Sequence, residues 1–180
     1  MSVVKEPIIG KDILKSFENL SQSEIFPAQV ESALRNLNKI GFPDRNLENW
    51  KNTKLSKLYK KTFTDPKTAE LKVFPNTKLP NISASTIVIE NGILNKHLTC
   101  FDQIDGLEIS FFSSNSSVIE SQINHTASKY EDAFTYLNSY LLNEGIYIKV
   151  KENVKITQPI HIVNVVTSPG TVVNSRLNIK

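Results

Sequence analysis

The sequence is poor in the residues from which small chemical sites are usually built. Among 180 residues there is one Cys, which excludes a disulfide framework, a multi-cysteine zinc site and an iron-sulfur cluster held by this chain's thiolates alone. The three His, at positions 97, 125 and 161, lack the His-x-His or His-x-x-x-His spacing of a metal motif. Gly10, Gly41, Gly92, Gly106, Gly145 and Gly170 are isolated, so there is no Gly-rich phosphate loop, and each reads as a turn or stop residue. Six Gly and 8 Pro are also too few for a collagen-like or low-complexity chain. No run of 18 apolar residues occurs, and the opening MSVVKEPIIGKD has no apolar stretch behind a positive one. The expectation is a soluble chain of a reducing compartment, most simply the cytoplasm.

What is present is the composition of one ordinary globular domain or two small ones, 39% hydrophobic and 22% charged. A chain of about 150 residues already buries roughly 70% of its unfolded surface, so a core is within reach. The net charge of +3 is unevenly spread: residues 1–90 carry 14 Lys/Arg against 10 Asp/Glu, and residues 91–180 carry 7 against 8. The excess is concentrated where Arg45, Lys51, Lys54, Lys57, Lys60 and Lys61 face only Glu48.

Helix is clearest over residues 27–40. Pro27 suits a first helical position, Val30, Ala33, Leu34, Leu37 and Ile40 recur at steps of three and four, and Gly41 then Pro43 supply the stop. Ile13, Leu14, Phe17 and Leu20 show similar spacing, which predicts a helical hairpin through SQSE. From Pro43 to Lys61, with Leu55, Leu58 and Tyr59 as anchors, the chain fits a helical turn and a loop alike. Beyond Pro75 the period becomes two. Thr86–Glu90 and the run from Ile93 are joined by Asn91-Gly92, the strongest short hairpin signal, because a type I′ turn needs positive φ twice. LEISFF, residues 107–112, predicts a strand after Asp105-Gly106. Residues 129–143 predict a helix that buries Ala133, Phe134, Leu137, Leu141 and Leu142 and stops at Gly145. YIKV, VKITQPIHIVNVV and TVVNSRLNIK then read as strands of a sandwich, barrel or solenoid, the last ending at Lys180 without a cap.

Catalytic chemistry finds little support in the residues. Cys100 has His97 three positions before it, a spacing without force for a nucleophile and base, and reads as a small half-buried apolar residue. His125 precedes a helix. His161 alternates with Ile160 and Ile162 and points away from the face they bury, as a surface imidazole. Asp102 with Asp105, and Glu131 with Asp132, lie near turns or helix starts, where carboxylates meet free backbone N–H groups. No catalytic, cofactor-binding or metal residue is assigned, and the chain is expected not to be an enzyme. The basic stretch, with Trp50 and Tyr59 for stacking, supports a rival reading as a small nucleic-acid-binding domain using the Lys51–Lys61 face. Lysines at helical steps also describe one solvated face, which is the commoner outcome.

Residues 40–58, IGFPDRNLENWKNTKLSKL, bring a family into view through Gly41, Pro43, Glu48, Trp50, Lys51, Thr53 and Leu55. Further matches follow in order: Val88, Asn91 and Gly92; then Asp132, Phe134, Leu137, Asn138, Gly145 and Ile148; then Gln158, Pro159 and Ile160. Together they resemble the N-terminal region of the SufB/SufD family of SUF iron-sulfur cluster assembly scaffolds, nearer the SufD branch than SufB, over about residues 27–180. Asn52, where an aromatic is common, and Asp44, where a base is frequent, depart from the pattern.

The resemblance implies an α+β chain: an N-terminal helical region with a short hairpin over 1–145, then over 146–180 the first strands of a right-handed parallel β-helix, truncated. It implies SufB-like and SufC-like partners, with clusters and ATP handled by other subunits or regions and no cofactor in this chain. The SufC-binding helices and the cluster-handling residues would lie beyond Lys180. Trp50 and Glu48 are then structural, a buried indole and its polar neighbour. An uncapped last coil predicts self-association through its open end, with neither nucleic acid nor membrane as partner.

Overall fold

The computed structural model describes residues 17, 20–65, 81–114, 117, 119–120 and 132–180. They form a mixed α+β chain with two small sheets: helix α1 (Pro27–Ile40), strands β1 (Ser85–Glu90), β2 (Ile93–Leu94) and β3 (Leu107–Phe111), helix α2 (Ala133–Tyr140), and strands β4 (Glu144–Val150), β5 (Ile160–Val165) and β6 (Ser175–Ile179).

Helix α1 begins at Pro27 as its sequence requires and buries Val30, Ala33 and Leu37. Its last apolar position, Ile40, is exposed, because the chain turns away at Gly41, whose N–H caps the carbonyl of Leu37. The stripe packs on α2, which buries Ala133, Leu137 and Tyr140, together with Phe17, Leu20 and Phe42. Ile13 and Leu14 lie outside the described residues, and so does the predicted hairpin they would form. Between Pro43 and Lys61 there are two 3-10 turns, Glu48–Trp50 and Leu55–Lys57, and no continuous helix.

Helix α2 starts later than its apolar pattern suggested, since Asp132 caps it: one carboxylate oxygen accepts the N–H groups of Phe134 and Thr135. Its stop is not Gly145. The helix ends at Tyr140, and Gly145 is the second residue of β4, in a close-packed place where a Cβ would lie 2.2 Å from the Phe112 ring. The later strands are shorter than their β-branched runs: in 154–166 the strand is Ile160–Val165, and in 171–180 it is Ser175–Ile179, with Thr171 making only an isolated parallel bridge to Thr64.

The strands make two sheets, ordered β2-β1-β5 and β3-β4-β6. In each, one neighbour of the central strand is antiparallel and the other is parallel. The hairpin turn is as read: Asn91 and Gly92 have φ of 47° and 83°. Ile87 and Ile89 of one sheet face Ile146 and Ile148 of the other, with Ile160, Ile162 and Ile109 packed around them. From β4 the chain crosses to the other sheet as β5 and returns as β6, which lies parallel to β4 with Glu144 opposite Ser175, 31 residues on.

Candidate functional site: the joints and the unpaired end of the two sheets

The two sheets leave a row of polar side chains at the corners where one strand gives way to the next. Asn91 is fully buried in the tight turn; its side chain donates to Thr167 Oγ1 at 3.0 Å and accepts the Thr167 N–H at 2.9 Å. Asn143 does the same at the next corner, its Oδ1 accepting the Asn174 N–H at 3.0 Å while its own N–H donates to the Asn174 carbonyl. Beside it Glu144, only 3% exposed, accepts from the Ser113 N–H, the Ser113 hydroxyl and the Gly145 N–H, and these three donors offset the cost of its burial.

Asn138 of α2 accepts from Nε and Nη2 of Arg176 in β6, so the helical layer is tied to the sheet by a charge-assisted fork. Burial lowers the proton affinity of that guanidinium, and its Nη1 is buried without a partner. The Pro159 carbonyl accepts the Ser85 N–H just ahead of the β1–β5 ladder. Trp50 lies 5.2 Å from Phe134, centroid to centroid, and is half-buried instead of fully buried as expected. Glu48 is exposed and pairs with Lys51. The motif residues therefore work at joints between elements: Trp50 and Phe134, Asn91, Asn138 and Pro159 each connect distant parts of the chain.

At the other extreme, β5 and β6 each pair on one side only among the described residues. Leu177 and Ile179 lie opposite Ile146 and Ile148, so they belong to the interior face, yet they are 47% and 68% exposed. Val166, just past β5, is 56% exposed. Free ladder groups and bare interior side chains at one end form a surface that a further strand on each sheet would complete.

The remaining candidates are scattered. Cys100 is exposed, not half-buried, because its backbone forms an isolated bridge with Thr86 at the margin of the sheet. His97 is exposed in the preceding turn, where its N–H donates to Asn95 Oδ1. His161 does point away from the face of Ile160 and Ile162, but it is half-buried with Nδ1 enclosed and unpaired, instead of fully at the surface. His125 and Glu131 lie outside the described residues. Asp102 accepts from Gln158, and Asp105 sits 3.9 Å from the Lys151 ammonium; both line an open groove of about 670 Å³ beside β3. Among the described residues no group of three or more His, Cys, Asp or Glu could hold a metal ion, and no helix is long and apolar enough to cross a membrane.

Sequence reading missed Glu144, Arg176 and the Asn143/Asn174 pair. A signal for the last was present: Asn143-x-x-Ile146-x-Ile148-Lys149 recurs as Asn174-x-x-Leu177-x-Ile179-Lys180, the 31-residue step of the parallel ladder.

No curated protein matches the chain. Residues 15–162 match the family model described as the SufBD protein N-terminal region. That span takes in α1, both 3-10 turns, the hairpin, α2 and the first residues of β5. The chain belongs to the SufB/SufD family of iron-sulfur cluster assembly proteins, of which it carries the N-terminal region.

Proposed function

We propose that this chain is the N-terminal part of a SufD-like scaffold subunit, without catalytic activity of its own, acting in the cytoplasm as a component of a SufBCD-type complex. Membership of the SufB/SufD family supports the cluster-assembly role, and the Gly41, Pro43, Glu48, Trp50, Lys51, Thr53 and Leu55 pattern supports the SufD branch. The observation that carries the reading is the step from β4 through β5 to β6: one strand per sheet, then a parallel return 31 residues on. Such a step is the unit of a solenoid, in which each coil buries its face only against its neighbours. We read it as the opening coil of a right-handed parallel β-helix.

In this role the chain supplies rigidity. The corner asparagines and Glu144 fix each coil, the Asn138–Arg176 fork fixes the helical layer to it, and the bare end at Leu177 and Ile179 receives the next strands. SufB-like and SufC-like subunits are the partners, and clusters and ATP are handled by other regions or subunits. Co-purification of the parent protein with SufB and SufC homologues is expected to give a stable complex; clean failure to assemble would sink the proposal. The 180-residue chain alone is expected to self-associate in light scattering, and Ile179→Lys to return it to monomer. A strictly monomeric native chain would show that the end is closed in another way.

A further inference from the structure

The basic stretch belongs to the helical layer, separate from the sheet joints, and the scaffold role makes no use of it. Arg45, Lys54, Lys57, Lys60 and Lys61 are all exposed, and none has an ion-pair partner among the described residues; only Lys51 is paired, with Glu48. Like charges held together repel, and among the described residues no ion pair offsets these five.

The backbone that presents them is nonetheless tightly held. Trp50 and Thr53 donate backbone N–H groups to Leu47 and Trp50, and Tyr59 and Lys61 donate theirs to Leu55 and Leu58. The Tyr59 hydroxyl donates to the Pro43 carbonyl at 2.5 Å, and its ring lies 6.1 Å from that of Phe42. Little backbone order remains to be lost when a ligand binds, which favours affinity.

The same anchoring discriminates between polyanions. Single-stranded nucleic acid needs free aromatic faces, and here Trp50 is engaged with Phe134 and Tyr59 with Phe42. Reading a duplex major groove takes a helix or a two-stranded ribbon, and here there are only two three-residue turns. What does stand exposed within the basic stretch is Leu47, 53% exposed and lying in the sequence between Arg45 and Glu48. An exposed apolar side chain within a basic stretch suits a peptide that carries an apolar residue among carboxylates. A sugar-phosphate backbone has nothing to place there.

We infer that the Arg45–Lys61 surface docks an acidic segment of a partner protein, with Leu47 as its apolar contact. The test uses the 180-residue chain and two fluorescent probes, a short Glu-rich peptide bearing one leucine and a single-stranded oligodeoxynucleotide, each titrated at low and physiological salt. The peptide is expected to bind more tightly. Joint replacement of Lys54, Lys57, Lys60 and Lys61 by Gln should weaken it by about tenfold or more, the loss shrinking as salt rises. Leu47→Ser should weaken the leucine-bearing peptide about fivefold and leave a leucine-free peptide and the oligonucleotide unchanged. Lys96→Gln with Lys155→Gln, elsewhere on the surface, should change nothing. Tighter binding of the oligonucleotide would overturn the inference in favour of nucleic acid. Equal loss on Leu47→Ser for both peptides, or none for either, would overturn the assigned contact. Leu47→Ser keeps every lysine, so the test stands even if the quadruple variant folds poorly.

Discussion

Between the helices the interior is aromatic, and between the sheets it is aliphatic. The first is a knot of rings of different orientation: Phe17 stacks on Phe63 at 5.0 Å, Phe42 meets Phe134 edge-on at 5.8 Å, and Trp50 and Tyr59 close the margin. The second is a ladder of isoleucines at matched positions, Ile87 beside Ile162 and Ile148 beside Ile179. Ring packing of this kind is finite, because each ring's place depends on a particular neighbour. A ladder has no natural end; each rung is as well placed to receive another as to stop. The helical interior thus closes on itself, whereas the sheet interior runs from fully enclosed Ile87 to largely exposed Ile179.

If that contrast is real, substitutions should grade with it. The largest loss is expected from Leu37→Ala, at the fully enclosed centre of the helical knot, about 4 kcal/mol in urea unfolding; under 1 kcal/mol would mean that the knot is loosely packed. Gly145→Ala should cost about 3 kcal/mol, since its Cβ would meet the Phe112 ring, and a second change of Phe112→Leu should recover part of the loss. Glu144→Ala strands three donors and should cost about 2 kcal/mol, with Glu144→Gln milder.

Tyr59→Phe should cost about 1 kcal/mol through the lost bond to Pro43, and it should also alter the pH profile. Burial, and then the Asp44 charge, push the Tyr59 phenol from 10.0 up to about 12. The unfolded chain therefore gives up this proton first: the contribution is complete below pH 10 and is lost as pH rises toward 12. The variant should be less sensitive to pH across that window, and an identical profile would remove the assignment. Least affected should be Ile179→Ala, within about 0.5 kcal/mol despite its place on the interior face.

Local signals were legible and distant ones were not. Pro27, Gly41 and the stripe between them announce α1, and Asn91-Gly92 announces the hairpin, because each depends on residues a few positions apart. The β1–β5 ladder joins Ser85 to Ile160, and no turn chemistry records a parallel pairing across such a span. Gly145 read as a helix stop because the reason for a glycine there is Phe112, far from it in sequence. Trp50 and Phe134 are each legible, but not that their rings meet, and nothing local in the sequence singles out Arg176, whose partner Asn138 lies 38 residues away. The lysines at helical steps suggested one solvated face, whereas two separate 3-10 turns carry that stretch.

The long reach of β1 has a consequence for how the chain is made. At roughly 5 to 20 residues per second, a ribosome needs about 4 to 15 s to pass from Ser85 to Ile160, and among the described residues β1 has for that interval only the short β2 and the Cys100 bridge as strand mates. Ile87 and Ile89 are meanwhile synthesised well before the isoleucines of β4 and β5 that will cover them. The β4–β6 pairing closes a loop less than half as long. Nascent chains stalled between Phe111 and Glu144 are therefore the ones most dependent on a chaperone, and release from it should coincide with the emergence of β5.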